Sequence, residues 1–157
     1  MRTDQLKTLS GSAVQYEASN NSRIPVSKYE GKIVEITKKF EFEAGHYVPG
    51  HEGRCKYVHG HSYKLYVTLS GPISENGVVV DFSTLNSIVV PLINERDHGF
   101  MNDIYEFPTA EVMAAHLMDS IESALETFGN VHCEEVKLYE TEKCCATVRR
   151  KRCDCDG

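Results

Sequence analysis

At 157 residues, with 25% charged and 41% hydrophobic side chains and a formal net charge of −6, the chain has the composition of an ordinary soluble domain long enough to bury a core. An acidic chain with no basic stripe is a poor match to nucleic acid. No run approaches the roughly 18 apolar residues of a membrane helix, and the N-terminus lacks the apolar centre of a secretory signal, so a cytoplasmic protein is expected.

Residues 1–29 are rich in Ser, Asn, Thr and Gln without sustained periodicity and read as a flexible arm; residues 30–150 form the domain, and 151–157 a polar, cysteine-containing tail. In 32–44, Val34, Ile36, Phe40, Phe42 and Ala44 share one face, with Lys38 as the exception, while Glu35, Thr37, Lys39, Glu41 and Glu43 share the other. That alternation predicts a long amphipathic strand, and continuing it through Gly45 brings His46 to the apolar face. A loop with Pro49, Gly50 and Gly53 leads through Cys55 to a second strand, in which His59, His61, Tyr63, Leu65, Val67 and Leu69 are in phase. Glu75-Asn76-Gly77 marks a turn before the short apolar run 78–80. From Ser83 the period becomes helical, through Leu85, Ile88, Val89, Leu92 and Ile93, with Pro91 expected to kink or shorten the helix. A second helix opens at Pro108-Thr109, carries Ala114, Leu117, Met118, Ile121, Leu125 and Phe128 as its stripe, and closes at Gly129. Strands resume at Val131, with Val136 and Leu138 in phase, and a last one is expected over 145–150. The order is ββααββ.

The segment C-K-Y-V-H-G-H (55–61) sets a thiol four positions before two histidines at i and i+2. Such histidines converge on one ion only in extended chain. With His46 in phase on the neighbouring strand, His46, His59 and His61 match the ligand set of a catalytic zinc site with an open fourth position. His51 is close enough in sequence to rival them, whereas His116 and His132 read as surface or helix residues. Cys55, beside Arg54, Lys56 and a cationic metal, could serve as nucleophile or base, as a further ligand, or as a small buried hydrophobe. Asp97-His98 follows an apolar helix, and a carboxylate that holds an imidazole in one tautomer suits acid-base work. Glu140, in phase with Val136 and Leu138, should point inward and needs a partner, either a ligand with two adjacent N–H groups or a basic residue of the protein. Of the six cysteines, four crowd into the last fourteen residues, where Cys144-Cys145 and Cys153-x-Cys155 lack zinc-ribbon spacing. These read as thiols of a polar tail.

The segments F-E-F-E-A-G-H (40–46), C-K-Y-V-H-G-H-S-Y (55–63), G-V-V-V-D-F (77–82), D-H-G-F-M-N (97–102), P-T-A-E (108–111) and Y-E-T (139–141) together resemble the family of 6-pyruvoyltetrahydropterin synthases and their relatives, the 6-carboxytetrahydropterin synthases of the queuosine pathway. The resemblance implies an α+β tunnelling fold (T-fold): an antiparallel four-stranded sheet with two helices on one face, its subunits joined into oligomeric barrels, usually hexamers, with active sites at subunit interfaces. It implies Zn2+ on His46, His59 and His61, a catalytic base at Cys55, a proton-transfer pair at Asp97 and His98, a pterin anchor at Glu140, and a pocket segment at Thr109 and Glu111. Glu111 also suits a helix N-terminus by its charge alone. The C-x3-H-G-H spacing resembles the carboxy-forming branch, the pyruvoyl-forming one having C-x5-H-G-H. Arg96, Gly99 and the long arm depart from the pattern, and the first two are expected to alter the pocket wall. The expected activity is a carbon-carbon lyase taking 7,8-dihydroneopterin triphosphate to 6-carboxy-5,6,7,8-tetrahydropterin, with acetaldehyde and triphosphate released. Its rivals are 6-pyruvoyltetrahydropterin synthesis on the same fold and a non-catalytic zinc- or pterin-binding protein.

Overall fold

The computed structural model describes residues 6–8, 14–16 and 23–151. Two strands, β3 (Ile33–His46) and β4 (His59–Pro72), form the spine; they are antiparallel and paired without interruption from Ile33↔Pro72 to His46↔His59. Along β3 the burial alternates residue by residue, as the sequence pattern requires. Lys38, out of place on the apolar face, lays its stem there and holds Nζ 5.7 and 5.8 Å from the ring centres of Phe40 and Phe82. Strands β6 (His132–Thr141) and β7 (Cys144–Arg149) extend the sheet antiparallel beyond β4.

Two helices cover one face. Helix α1 (Phe82–Asn94) is capped by the Asp81 carboxylate, which accepts from the Ser83 amide at 2.7 Å, and it buries Leu85, Val89 and Ile93. It continues through Pro91 to Asn94 and so is not shortened there. Helix α2 (Ala110–Leu125) is capped by the Thr109 hydroxyl, which accepts from the Val112 amide at 3.3 Å. Its buried stripe contains Met113, which the periodicity did not single out, and ends at Leu125; Phe128 lies in a following 3-10 turn and is 38% exposed. Glu122 ties α2 to β6, accepting from the Cys133 amide at 2.6 Å and His132 Nδ1 at 3.0 Å. Leu65, Val67, Leu69, Val136 and Leu138 of the sheet and Leu85, Val89, Leu117 and Ile121 of the helices meet in one core.

The expected sheet of four antiparallel strands is corrected in one respect. A two-residue strand, β5 (Gly99–Phe100), adds parallel to β3 through Ala44↔Gly99 and Gly45↔Phe100, making a mixed five-stranded sheet of order β5-β3-β4-β6-β7. Two residues carry no periodicity, so the strand is invisible in the sequence. Within the stretch read as an arm, β1 (Leu6–Thr8) pairs antiparallel with β2 (Val14–Tyr16), and Val26–Tyr29 forms a 3-10 turn. The other residues before 23, and tail residues 152–157 with Cys153 and Cys155, lie outside the described part.

The fully buried Leu117 and the half-exposed Phe128 should respond differently to truncation. Leu117→Ala is expected to cost about 3 kcal/mol in urea unfolding and Phe128→Ala less than about 1 kcal/mol. Equal losses would contradict the placement of the stripe.

Candidate metal centre and active site

The last pair of the β3–β4 ladder is His46↔His59, and His61 follows on the same face, so three imidazoles gather at one end of the sheet. One ligand atom from each lies within 4.8 Å of the others. His46 Nδ1 donates to the Pro108 carbonyl at 2.6 Å, and His59 Nδ1 donates to the Tyr57 carbonyl at 2.7 Å. Carbonyls only accept, so Nδ1 carries a proton in both rings, and Nε2 is the nitrogen left to offer a lone pair. Those two Nε2 atoms face each other at 3.1 Å. Two lone pairs at that distance repel unless a cation or a proton lies between them. His61 Nε2 is buried without a hydrogen-bond partner, and burial holds the ring below its ordinary pKa, opposed by Glu140 and reinforced by His46 and His59. Convergent imidazoles, two of them oriented by backbone carbonyls through Nδ1, are what a divalent cation requires, and the residues present fit one.

Glu140 Oε1 lies 3.3 Å from His46 Nε2 and 3.5 Å from His61 Nε2. At 3.5 Å the second contact is an ion-pair distance and leaves His61 Nε2 without a hydrogen bond. The inward carboxylate expected from strand phase therefore faces imidazoles, and not a Lys or Arg. Tyr63, completely buried beside them, stacks on Phe42 at 4.9 Å and has an unpartnered hydroxyl; burial first, then the Glu140 charge, push its pKa up.

Cys55 sits in a 3-10 turn, Arg54–Lys56, after a loop closed by the Val48 amide donating to the Cys55 carbonyl at 2.7 Å. It lines a cavity of about 230 Å3 with His46, Glu140, Thr109 and Glu111. Thr109 and Glu111 thus serve both as helix terminus and as cavity wall. His51, the rival ligand, lies on the same wall, but its Nδ1 accepts from the Gly53 amide at 2.9 Å and it stands outside the metal trio. Cys144 and Cys145, read from sequence as part of a tail, open β7 and also line this cavity. Buried Cys133, its thiol pushed up to about 12 chiefly by burial, is an inert core residue.

Asp97 and His98 occupy the tight turn between α1 and β5. Asp97 Oδ1 accepts from the Glu43 amide at 2.9 Å, its Oδ2 lies 3.0 Å from His98 Nδ1, and the His98 amide donates to the Glu43 carbonyl at 2.6 Å. His98 holds φ +55°, a left-handed conformation that is uncommon outside glycine. Its ring, 79% exposed, donates through Nδ1 and so presents a basic Nε2 outward. It borders a second cavity, of about 370 Å3, with His61, Ser62, Glu43 and Gly99. The structure therefore groups Cys55, Glu140, Thr109 and Glu111 with His46, and His98 with His61 in a different hollow. Of the expected wall changes, Gly99 lines that hollow, whereas Arg96 is fully buried elsewhere. The orienting groups that sequence reading missed, at Tyr57, Pro108 and Glu43, act through backbone atoms and leave no side-chain signature.

The family model described as 6-pyruvoyl tetrahydropterin synthase matches residues 35–151, and the chain belongs to that family. A Synechocystis protein named 6-carboxy-5,6,7,8-tetrahydropterin synthase is 43% identical over 114 residues, covering 68% of this chain and 85% of its own. A Haemophilus influenzae protein of the same name is 39% identical over 102 residues, covering 62% and 70%. The structure of 6-pyruvoyl tetrahydropterin synthase from Caenorhabditis elegans superposes with a TM-score of 0.69 at 21% identity, covering 78% of this chain and 99% of that one. Its counterpart from Plasmodium falciparum gives 0.61 at 18% identity, covering 75% and 98%. These likenesses support the T-fold assignment.

Two expectations follow from the geometry. A divalent cation at about one hundred times its dissociation constant should stabilise the parent by about 2.7 kcal/mol and leave His61→Ala nearly unchanged in thermal unfolding. Equal stabilisation of both would place the cation elsewhere. The Asp97 carboxyl is held below its ordinary value, first by the Glu43 amide and then by His98, so its contribution is complete above about pH 4 and is lost as pH falls through the lower folded value. The stability gap between parent and Asp97→Asn should therefore narrow on acidification from pH 6 to 3, and a constant gap would contradict it.

Proposed function

We propose that this protein is a zinc-dependent 6-carboxy-5,6,7,8-tetrahydropterin synthase, a carbon-carbon lyase acting on 7,8-dihydroneopterin triphosphate with release of acetaldehyde and triphosphate, in the cytoplasm and in 7-deazaguanine (queuosine) biosynthesis. The observation that carries this reading is the convergence of three imidazoles with Cys55 and Glu140 on the adjoining cavity wall. The names of the curated relatives and the C-x3-H-G-H spacing favour the carboxy-forming reaction.

Zinc on His46, His59 and His61 would act as a Lewis acid toward the side-chain oxygens of the substrate, making adjacent C–H and O–H protons easier to remove. The Cys55 thiolate takes one such proton inside the cavity. Glu140 accepts from paired N–H groups of the pterin ring, a bidentate match that fixes the ring against the reacting side chain. Thr109 and Glu111 border the same space at the start of α2. His98, its Nδ1 bonded to Asp97, exchanges a proton through Nε2 with the opposite side of the reacting chain. Because His98 faces a different hollow from Cys55, the complete proton-transfer set would be assembled between subunits, which favours a homo-oligomer with active sites at its interfaces, a hexameric barrel of T-fold subunits.

Formation of 6-pyruvoyltetrahydropterin is the second reading, favoured by the names of the structural neighbours. Mass spectrometry of the products separates the two, since acetaldehyde without a pyruvoyl product fits only the first. Cys55→Ala is expected to lose at least about a hundredfold in kcat with metal content intact. A variant as active as the parent would overturn the role of the thiolate, and full zinc binding with no turnover of either parent or variant would favour a binding module.

A further inference from the structure

Arg96 is a completely buried cation one residue before the dyad. A guanidinium is costly to bury unless every donor is engaged. Here all five are placed. Nε and Nη2 donate to the Tyr105 hydroxyl oxygen at 3.0 and 2.7 Å, and Nη2 also donates to His116 Nδ1 at 3.1 Å. Nη1 donates to the Leu92 carbonyl at the end of α1 and lies 3.4 Å from the exposed Glu95 carboxylate. The Tyr105 hydroxyl, already accepting from the guanidinium, lies 3.0 Å from His116 Nδ1 and shares the single lone pair of that nitrogen with Nη2. The guanidinium therefore satisfies a helix-end carbonyl, where a cation is favoured, and joins the end of α1 to α2 through Tyr105.

The backbone of the same residue is the pivot of the dyad turn. The Arg96 amide donates to the Ile93 carbonyl at 2.8 Å, and its carbonyl accepts from the Gly99 amide at 3.0 Å. The turn closes so tightly that a Cβ on Gly99 would lie 2.9 Å from the Arg96 carbonyl oxygen. On the solvent side the Glu43 amide donates to the Asp97 carboxylate, and the Glu43 carbonyl accepts from the His98 amide. On the core side the anchor is the Arg96 side chain.

We propose that Arg96 is a positioning residue for Asp97-His98: its five-donor fork, gripped by Leu92, Tyr105 and His116, fixes the turn that keeps His98 in its left-handed conformation and aims its imidazole. The inference rests on the acid-base role proposed for His98, and it predicts an effect on the chemical step more than on substrate binding.

The test compares Arg96→Met and Arg96→Lys with the full-length parent, using amide hydrogen exchange and steady-state kinetics on 7,8-dihydroneopterin triphosphate. In Arg96→Met the amides of Glu43 and His98 should exchange at least about tenfold faster while those of residues 117–121 in α2 keep their rates. kcat should fall by about tenfold to a hundredfold, with KM within about twofold and metal content unchanged. Lysine, which keeps the charge but not the fork, should recover only part of the loss. Should Arg96→Met fail to fold, Tyr105→Phe, which removes the hydroxyl taking two of the guanidinium's bonds, carries the same expectation. Unchanged exchange at Glu43 and His98, or equal acceleration throughout the chain, would overturn the proposal. So would a kcat within twofold of the parent. If the parent itself turns over no pterin triphosphate, the functional reading fails, while the exchange measurement still decides whether Arg96 holds the turn.

Discussion

Two ring nitrogens that face each other at 3.1 Å set the terms for the rest of the site. His46 and His59 each spend Nδ1 on a backbone carbonyl, Pro108 and Tyr57, which leaves two Nε2 lone pairs 3.1 Å apart. Neither ring can turn to relieve the contact without breaking its carbonyl bond, and for His46 that bond is buried, where leaving it unmade costs about 1–3 kcal/mol. Glu140 adds a third concentration of negative potential at 3.3 Å. The arrangement is stable only around positive charge. A site so arranged is prepared for a cation before one arrives, and the cation's affinity is gained without the cost of gathering its ligands.

Each neighbouring element is shaped by that requirement. The entry to α2 has two duties, because Pro108 orients His46 through its carbonyl while the next residue, Thr109, caps the helix and borders the cavity. β3 likewise places Phe42 and Ala44 in the core while Glu43, on the other face, uses its amide and carbonyl to hold a turn on the far side of the sheet edge. Strain and buried polarity gather in the same region: a left-handed histidine, a tyrosine hydroxyl without a partner and a guanidinium in the core. Such features are expected where structure serves chemistry at the expense of stability.

What the sequence made legible depended on period. Strict alternation over 32–44 and 59–69 placed β3, β4 and the three histidines on one face, because burial on one side of a sheet leaves a period of two in the residues themselves. The cap and stripe of α2 were readable for the same kind of reason. β5 was not, since two residues cannot display a period and the strand exists because the turn at 95–98 clips it to β3. Pro91 was expected to kink or shorten α1, yet the helix runs on to Asn94, because only one amide is missing near the end of a helix that tertiary packing retains. The last strand was expected from Cys145, but Cys144 and Cys145 were also read as tail thiols, because their place on the cavity wall comes from register with β6 and not from composition. The dyad was found as a pair, but the separation of His98 from Cys55 into another hollow is a three-dimensional fact without any local signature.

The uninterrupted ladder between β3 and β4 also divides what can change from what cannot. Its fourteen matched pairs end at His46↔His59, so the two strands fix the metal ligands regardless of the chain that joins them. The connecting residues 47–58, including the thiol at 55, lie outside the ladder. Insertion or deletion there slides the cysteine along the cavity wall while the imidazoles stay in place. The position of the thiol and the spacing of the imidazoles can therefore vary independently, the one with the length of a loop and the other with the register of a ladder.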